Sequence, residues 1–311
     1  MYHGACKNGT FQKQRSFAVN KYYLFALCIS MHAMNGMEKQ HNWNAQKYSK
    51  NSELQCKAAM GALSRIEFNG DEKVLDIGCG DGRVTAEIAK RVPRGSVKGV
   101  DISENMIEHA CTTHQQDNLS FDILDISNIK YPYATIGSHG FHDRFNVITA
   151  FSSLSWIPYE AQKEAFKNIA LLLAYKGKVR AGLAHKDSAY LRARTTMLTH
   201  DRWKQYFEGY EIPYYPSDEQ EVRGWLQQAF LKEELVAKIE APHTFTCRQE
   251  FIDWMSAIPV QIDRIPQEQH QQFFNDIVDE YLKEVPQAED GSIKLSIAAL
   301  AVRAESVSNC W

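Results

Sequence analysis

This 311-residue chain has no C-x-x-C pair, no internal repeat, no low-complexity tract and no apolar run long enough to span a bilayer. Its seven cysteines, Cys6, Cys28, Cys56, Cys79, Cys111, Cys247 and Cys310, are odd in number and scattered. That spacing argues against a disulfide framework or a structural zinc site and suits reduced thiols in a cytoplasmic compartment. Charge of one sign is also missing: 35 Lys and Arg against 38 Asp and Glu leave a formal net charge of -3. Without a basic field, neither nucleic acid nor an anionic membrane surface is an expected partner, and small molecules or proteins remain. What is present is ordinary globular material, 44% hydrophobic and 23% charged, enough to bury a core. Lys21 followed by the apolar Tyr22 to Ser30 faintly resembles a signal peptide, but His32 and Asn35 interrupt the run. The bland reading is a poorly ordered extension over residues 1–36, ahead of one domain over 37–311.

From about residue 50, short apolar runs alternate with longer amphipathic stretches, the pattern of a parallel sheet flanked by helices. Strands are predicted at Lys73 to Ile77, Val97 to Asp101, Leu119 to Ile123, Phe145 to Ala150 and Val179 to Leu183. Helices are predicted over Ser52 to Ile66, around Val84 to Val92, over Glu104 to Gln115 and over Ala161 to Leu173. A polar loop with Pro132, Gly137, His139 and Gly140 precedes the fourth strand. Alternation fails after Leu183. There the chain carries an aromatic stretch, helical patterns near Glu219 to Phe230, Arg248 to Ile258 and Gln267 to Val285, a short strand at Leu235 to Ala241, and a closing run at Ile293 to Val302. The expected layout is a core over 50–184 with a helical lid and closing strands over 185–305. Trp203, Tyr206, Phe207 and Tyr210, at helical spacing, read as core.

Val74 to Gly82 (VLDIGCGDG) places Gly78, Gly80 and Gly82 in a turn between a buried strand and a helix, where a missing Cβ lets backbone approach a ligand. G-x-G turns also serve dinucleotides, or only tight packing, but the order here is G-x-G-x-G rather than G-x-G-x-x-G. Asp76, inside the strand, is a buried carboxylate that needs donors, and the ammonium of a sulfonium cofactor's amino-acid moiety is one. Asp101, about twenty residues on at a strand end, can accept both hydroxyls of a ribose. Asp125, after the third strand, suits the exocyclic amine of adenine, with Ile102 and Ile126 on the ring faces. Cys79 reads as a small packing residue within the turn.

With these residues in hand, the sequence resembles the class I S-adenosyl-L-methionine-dependent methyltransferases over about residues 74 to 183. Trp43 to Tyr48 (WNAQKY), Val100 to Ser103 through Met106-Ile107, and Phe151 to Ile157 (FSSLSWI) further resemble the trans-aconitate and juvenile-hormone-acid methyltransferase group. The resemblance implies a Rossmann-like, seven-stranded, mostly parallel sheet with a helical lid inserted after strand five. It implies a cofactor site containing Asp76, Gly78, Cys79, Gly80, Asp101, Ile102, Met106, Asp125, Ile126 and Phe151. In juvenile-hormone-acid enzymes a glutamine seven residues after the tyrosine, with the Trp after strand four, holds the substrate carboxylate. Gln55, seven residues after Tyr48, and Trp156 fill those positions, although a lone Trp also suits a core and a helical Gln also suits solvent. Two departures stand out: Ser155 where the group carries His, and Tyr175 to Lys178 (YKGK) in place of a Lys-Pro-Gly-Gly turn.

Methyl transfer from a sulfonium is an in-line displacement that needs positioning and exclusion of water, with no obligatory acid or base. A carboxylate nucleophile is already ionised and wants neutral donors such as Gln55 and Trp156. An amine or phenol would need a base, for which His185, His200 and Tyr206 are candidates. The expected function is therefore O-methylation of a small-molecule carboxylate. The alternatives are a malonyl-carrier-protein methyltransferase, whose carrier partner calls for a basic patch, and a non-catalytic cofactor-binding scaffold.

Overall fold

A computed structural model describes Ala45, residues 48–49, and residues 52–129, 144–256 and 262–307. The expected extension over 1–36, Trp43, and the loop with Pro132, Gly137, His139 and Gly140 lie outside these residues. Seven strands form one sheet in the order β3-β2-β1-β4-β5-β7-β6. They are β1 Lys73–Ile77, β2 Ser96–Asp101, β3 Leu119–Ile123, β4 Phe145–Phe151, β5 Leu173–Ala184, β6 Leu231–Phe245 and β7 Ile293–Ser306. The first five run parallel, and β7 is antiparallel to both β5 and β6. This is the helix-flanked α/β sheet that the alternation predicts, with the Rossmann-like, mostly parallel order that the resemblance implies.

Side chains along a strand point to opposite faces, and the packing follows. Val74 and Val147 join Leu63, Ile88, Ala89 and Val92 on one face, beneath helices α1 (Glu53–Leu63) and α2 (Arg83–Arg91). Leu75, Ile77 and Ile148 join Phe166, Ile169, Val222 and Trp225 on the other, from α4 (Tyr159–Leu172) and α6 (Glu219–Gln228). Helix α3 (Glu104–Thr113) links β2 to β3 and buries Met106, Ile107 and Ala110. Strand β5 begins earlier than the apolar pattern suggests. Its register against β4 jumps from Phe145↔Leu173 to Val147↔Lys178, so the YKGK segment is a bulge, with Lys176 at φ 60°.

The helical addition is larger than one insertion after the fifth strand. Helix α5 (Ala189–Thr196) and the aromatic stretch follow β5, whereas α7 (Arg248–Ser256) and α8 (His270–Glu284) lie between β6 and β7. Both excursions share one core: Tyr190, Met197, Trp203 and Phe207 pack with Phe251, Ile252, Phe273, Ile277 and Tyr281. The stripe at 203–210 is core as expected, although its backbone forms only a short 3-10 turn at Lys204–Tyr206. β7 pairs with β5 only from Ala299 to Glu305, while β6 follows β7 back to Phe245↔Ile293. Glu240 to Phe245 and Ile293 to Ala298 therefore form a two-stranded ribbon beyond the carboxyl end of β5. Phe245, Ile293 and Leu295 on that ribbon seat the helical layer.

Trp203 anchors this layer. It is fully buried, its indole N–H donates to Asp276 Oδ2 at 2.8 Å, and its ring meets Phe273 edge-on at 5.3 Å. Trp203→Ala should cost about 3–5 kcal/mol in equilibrium urea unfolding. A loss below about 1 kcal/mol, within the usual range for surface substitutions, would show that the layer does not depend on it.

Candidate functional site

The G-x-G-x-G turn leaves β1 at its carboxyl end, and each glycine there has a physical task. Gly78 lies at φ 67°, and a Cβ on it would sit 2.1 Å from Ser153 Cβ. Its N–H and that of Cys79 both donate to the Val100 carbonyl, at 2.7 and 3.0 Å, which ties the turn to β2. Gly80, at φ 55°, faces only Tyr48 within 4 Å among the described residues, and it borders the cleft. That cleft is walled by the turn, by Tyr48, Ser52, Gln55 and Cys56 near and on α1, and by Phe151 and Ser152 at the end of β4.

Asp76 is buried and reaches the cleft wall. Thr85 Oγ1 of α2 donates to its Oδ2 and Thr149 Oγ1 of β4 to its Oδ1, both at 2.6 Å. Burial pushes the carboxyl up to about 6 against the pull of these two hydroxyls, and the Asp101 carboxylate adds to the rise. Asp101 accepts from the Gly80 N–H at 3.0 Å and the Ser103 N–H at 2.9 Å. Its carboxylate thus braces the turn from the neighbouring strand. Asp125 stands just beyond β3 and accepts from the Ser127 N–H and hydroxyl at 2.9 and 2.6 Å. β1, β2 and β3 are adjacent, so the three carboxylates stand at consecutive strand ends.

Of the residues nominated from sequence, Gln55, Asp76, Gly78, Cys79, Gly80 and Phe151 share the cleft. Asp101 lies behind Gly80, while Ile102, Met106, Asp125 and Ile126 follow from the ends of β2 and β3 and are not among the lining residues. Trp156 does not line it either: its ring packs edge-on against Tyr214 at 4.8 Å. Ser155, at the position of the expected His, has a structural task. Its hydroxyl accepts from the Ala184 N–H at 2.8 Å and its carbonyl from the Tyr215 N–H at 2.7 Å. Burial raises the Cys79 thiol well above its ordinary range, which suits a packing residue.

The candidate bases are engaged elsewhere. His185 meets Glu219 through Nε2 at 3.1 Å and accepts from the Asp187 N–H at Nδ1. His200 Nδ1 accepts from the Arg202 N–H, and the Tyr206 hydroxyl pairs with Gln269.

Several site residues had no sequence signal of their own. Thr85 and Thr149 were implied only by the need of a buried carboxylate for donors. Tyr48 served as a landmark and proves to be a wall. Burial, then the Asp81 and Asp101 carboxylates, push its phenol up to about 12, so the hydroxyl keeps its proton at neutral pH. Arg83 pairs with Asp81 at 2.7 Å and donates to the Ser52 hydroxyl, which latches α1 to the turn.

The raised Asp76 carboxyl predicts a pH signature. Its folded value exceeds the ordinary 3.8, so the folded state holds the proton more tightly and stability falls as pH rises through this interval. Asp76→Asn should match wild type near the lower end and exceed it by about 2–3 kcal/mol above the upper end, read by urea unfolding of the ligand-free protein. A difference independent of pH would remove the assignment.

Residues 74–177 match the sequence family described as a methyltransferase domain. A protein of Invertebrate iridescent virus 6 named as a methyltransferase (235L) is 25% identical over 82% of this chain and 89% of its own. Juvenile hormone acid O-methyltransferase of Bombyx mori is 30% identical over 57% of this chain and 64% of its own. In fold, the YcgJ protein of Bacillus subtilis superposes with a TM-score of 0.56 at 16% identity, covering 81% of this chain and all of that one. The cofactor of such enzymes fits the residues present. Asp76 offers a buried carboxylate at the cleft wall, Gln55 Oε1 is buried there without a partner, and the backbone at Gly80 is open to a ligand. Motif, sheet order, cleft and relatives together support a class I S-adenosylmethionine-dependent methyltransferase.

Proposed function

We propose that this methyltransferase esterifies a carboxylate on a small molecule. The observation that carries the reading is Gln55, whose amide oxygen borders the cleft buried and unsatisfied. A ligand is the natural partner of such an atom, and rotating the amide end for end presents N–H instead. Arg83, the cation on the cleft wall, is already paired with Asp81. A neutral amide can therefore orient a carboxylate without quenching its charge. The similarity to juvenile hormone acid O-methyltransferases of Bombyx mori and Drosophila melanogaster, and to trans-aconitate 2-methyltransferase of Rhodopseudomonas palustris, supports the same class.

In this reading Asp76 faces the cofactor's ammonium, Asp101 the ribose hydroxyls and Asp125 the adenine amine. Ile102, Met106, Ile126 and Phe151 pack about the adenosyl group, and the backbone of Gly78, Cys79 and Gly80 approaches it. When bound, S-adenosylmethionine supplies a methyl group on a positively charged sulfur. The chain's own part is to exclude water and aim the acceptor oxygen, with Gln55 and Trp156 as acceptor-side residues. No side chain needs to move a proton, which agrees with Ser155 in place of an imidazole.

A malonyl-carrier-protein acceptor is the second reading, since Malonyl-[acyl-carrier protein] O-methyltransferase of Bacillus cereus is 26% identical over 39% of this chain and 43% of its own. A carrier would need a basic face. On the helical layer Arg192, Arg202, Lys204 and Arg248 are each ion-paired, so the small-molecule reading is favoured.

Asp101→Ala should weaken S-adenosylmethionine binding at least ~10-fold by titration calorimetry, since a hydrogen bond to a charged group contributes ~1.5–3 kcal/mol. Unchanged affinity would displace Asp101 from the ribose. Gln55→Ala should reduce ester formation across a panel of small acids while leaving cofactor affinity nearly intact. Equal loss of both would make Gln55 structural, and turnover of amines or phenols instead of acids would overturn the carboxylate reading.

A further inference from the structure

The amino-acid end of S-adenosylmethionine carries a carboxylate as well as an ammonium, and only the ammonium has a partner in the reading above. Among the described residues that line the cleft, Arg83 is the one cation. It opens α2, and Thr85, two residues on, donates to Asp76 at 2.6 Å. A guanidinium and the buried carboxylate thus reach the same cleft from β1 and the start of the helix that follows it. The guanidinium is braced without being used up. Asp81 accepts from the Arg83 main-chain N–H through Oδ1 at 3.3 Å, and its Oδ2 stands 2.7 Å from Nε. The Nε–H bond nevertheless does not point at that oxygen: both atoms are buried, and neither makes a hydrogen bond among the described residues. Nη2 donates to the Ser52 hydroxyl, and Nη1 has no hydrogen-bond partner among the described residues. A guanidinium has five N–H donors in a flat fork that matches a carboxylate two bonds at a time. Asp81 and Ser52 therefore hold the fork at the cleft wall with donors to spare, and a buried donor without an acceptor is costly until a ligand completes it.

Resting on the reading in which Asp76 faces the cofactor's ammonium, we propose that Arg83 binds the carboxylate of the cofactor's amino-acid moiety. Asp81 and Ser52 are positioning residues that keep the guanidinium in place. Asp76 and Arg83 then read the two charges of one zwitterion, and the cleft distinguishes S-adenosylmethionine from adenosyl sulfonium compounds that lack the carboxyl. The cation of the cleft is thereby committed to the cofactor, so the acceptor meets the neutral Gln55 amide instead.

The test is titration calorimetry on the full chain with S-adenosylmethionine and decarboxylated S-adenosylmethionine, which keeps the sulfonium, the adenosine and the ammonium. Wild type should bind the first about 10- to 100-fold more tightly, the ratio set by a hydrogen bond to a charged group. Arg83→Gln should lose about that factor for S-adenosylmethionine and little for the decarboxylated compound, so the ratio falls towards one. The decarboxylated ligand also checks that the variant is folded with its cleft intact. Asp76→Asn should weaken both ligands alike, because both carry the ammonium. Equal losses for the two ligands in Arg83→Gln, or a wild type that binds them equally, would overturn the role of Arg83 while leaving the Asp76 assignment in place. Unchanged affinities in Asp76→Asn would instead remove the ammonium from Asp76, and the ratio in Arg83→Gln would still decide between a carboxylate-binding and a structural Arg83.

Discussion

The short hydrogen bonds from Thr85 and Thr149 to one buried carboxylate, Asp76, hold the centre of this protein together. They join the first strand to the helix that follows it and to the neighbouring fourth strand, so three elements meet at a single acidic group. A carboxylate in that position is costly to ionise, because burial pushes its pKa up. In the proposed reading the ligand that meets it brings a positive charge. The glycine turn above it, the Asp101 brace on Gly80 and the Tyr48 wall all depend on where Asp76 fixes the end of β1.

Beside this rigid half sits a layer assembled from two separate excursions of the chain. Trp203 and Asp276 fasten one to the other, and Arg192 adds ion pairs to Asp187 and Glu284. Exposed pairs of that kind contribute little each; the buried aromatic cluster carries most of the cohesion. The carboxylates thus stand at the ends of the parallel strands, while the helical layer is borne by the antiparallel edge.

The parallel half was legible because each of its elements announces itself locally. Val74 to Ile77 and Phe145 to Ala150 are short apolar runs between turn signals, and the glycines mark where β1 gives way to α2. The places of the three carboxylates were legible for the same reason, since Asp76 lies inside a predicted strand, Asp101 ends one and Asp125 follows one. What escaped were facts of long-range pairing. Lys232 and Glu233 do not read as strand, yet β6 includes them because they pair with Glu305 and Ala304 of β7, with Glu234 bulged between. The bulge over Ala174 to Gly177 hides the start of β5 for a similar reason. Trp156 fits a motif, yet nothing local foretells its ring packing edge-on against Tyr214. The split of the helical layer between two points in the chain follows from shared packing, which no periodicity records.

The position of β7 has a consequence for how the chain comes to be folded. The last of the seven strands in chain order is not at the rim but lies between β5 and β6. Until residues 293–306 emerge, β6 has no neighbour to pair with, and α7 and α8 must wait on a ribbon only half built. Synthesis from the amino end can complete the parallel half early, but the helical layer gains its seat only once residues 293–306 have emerged.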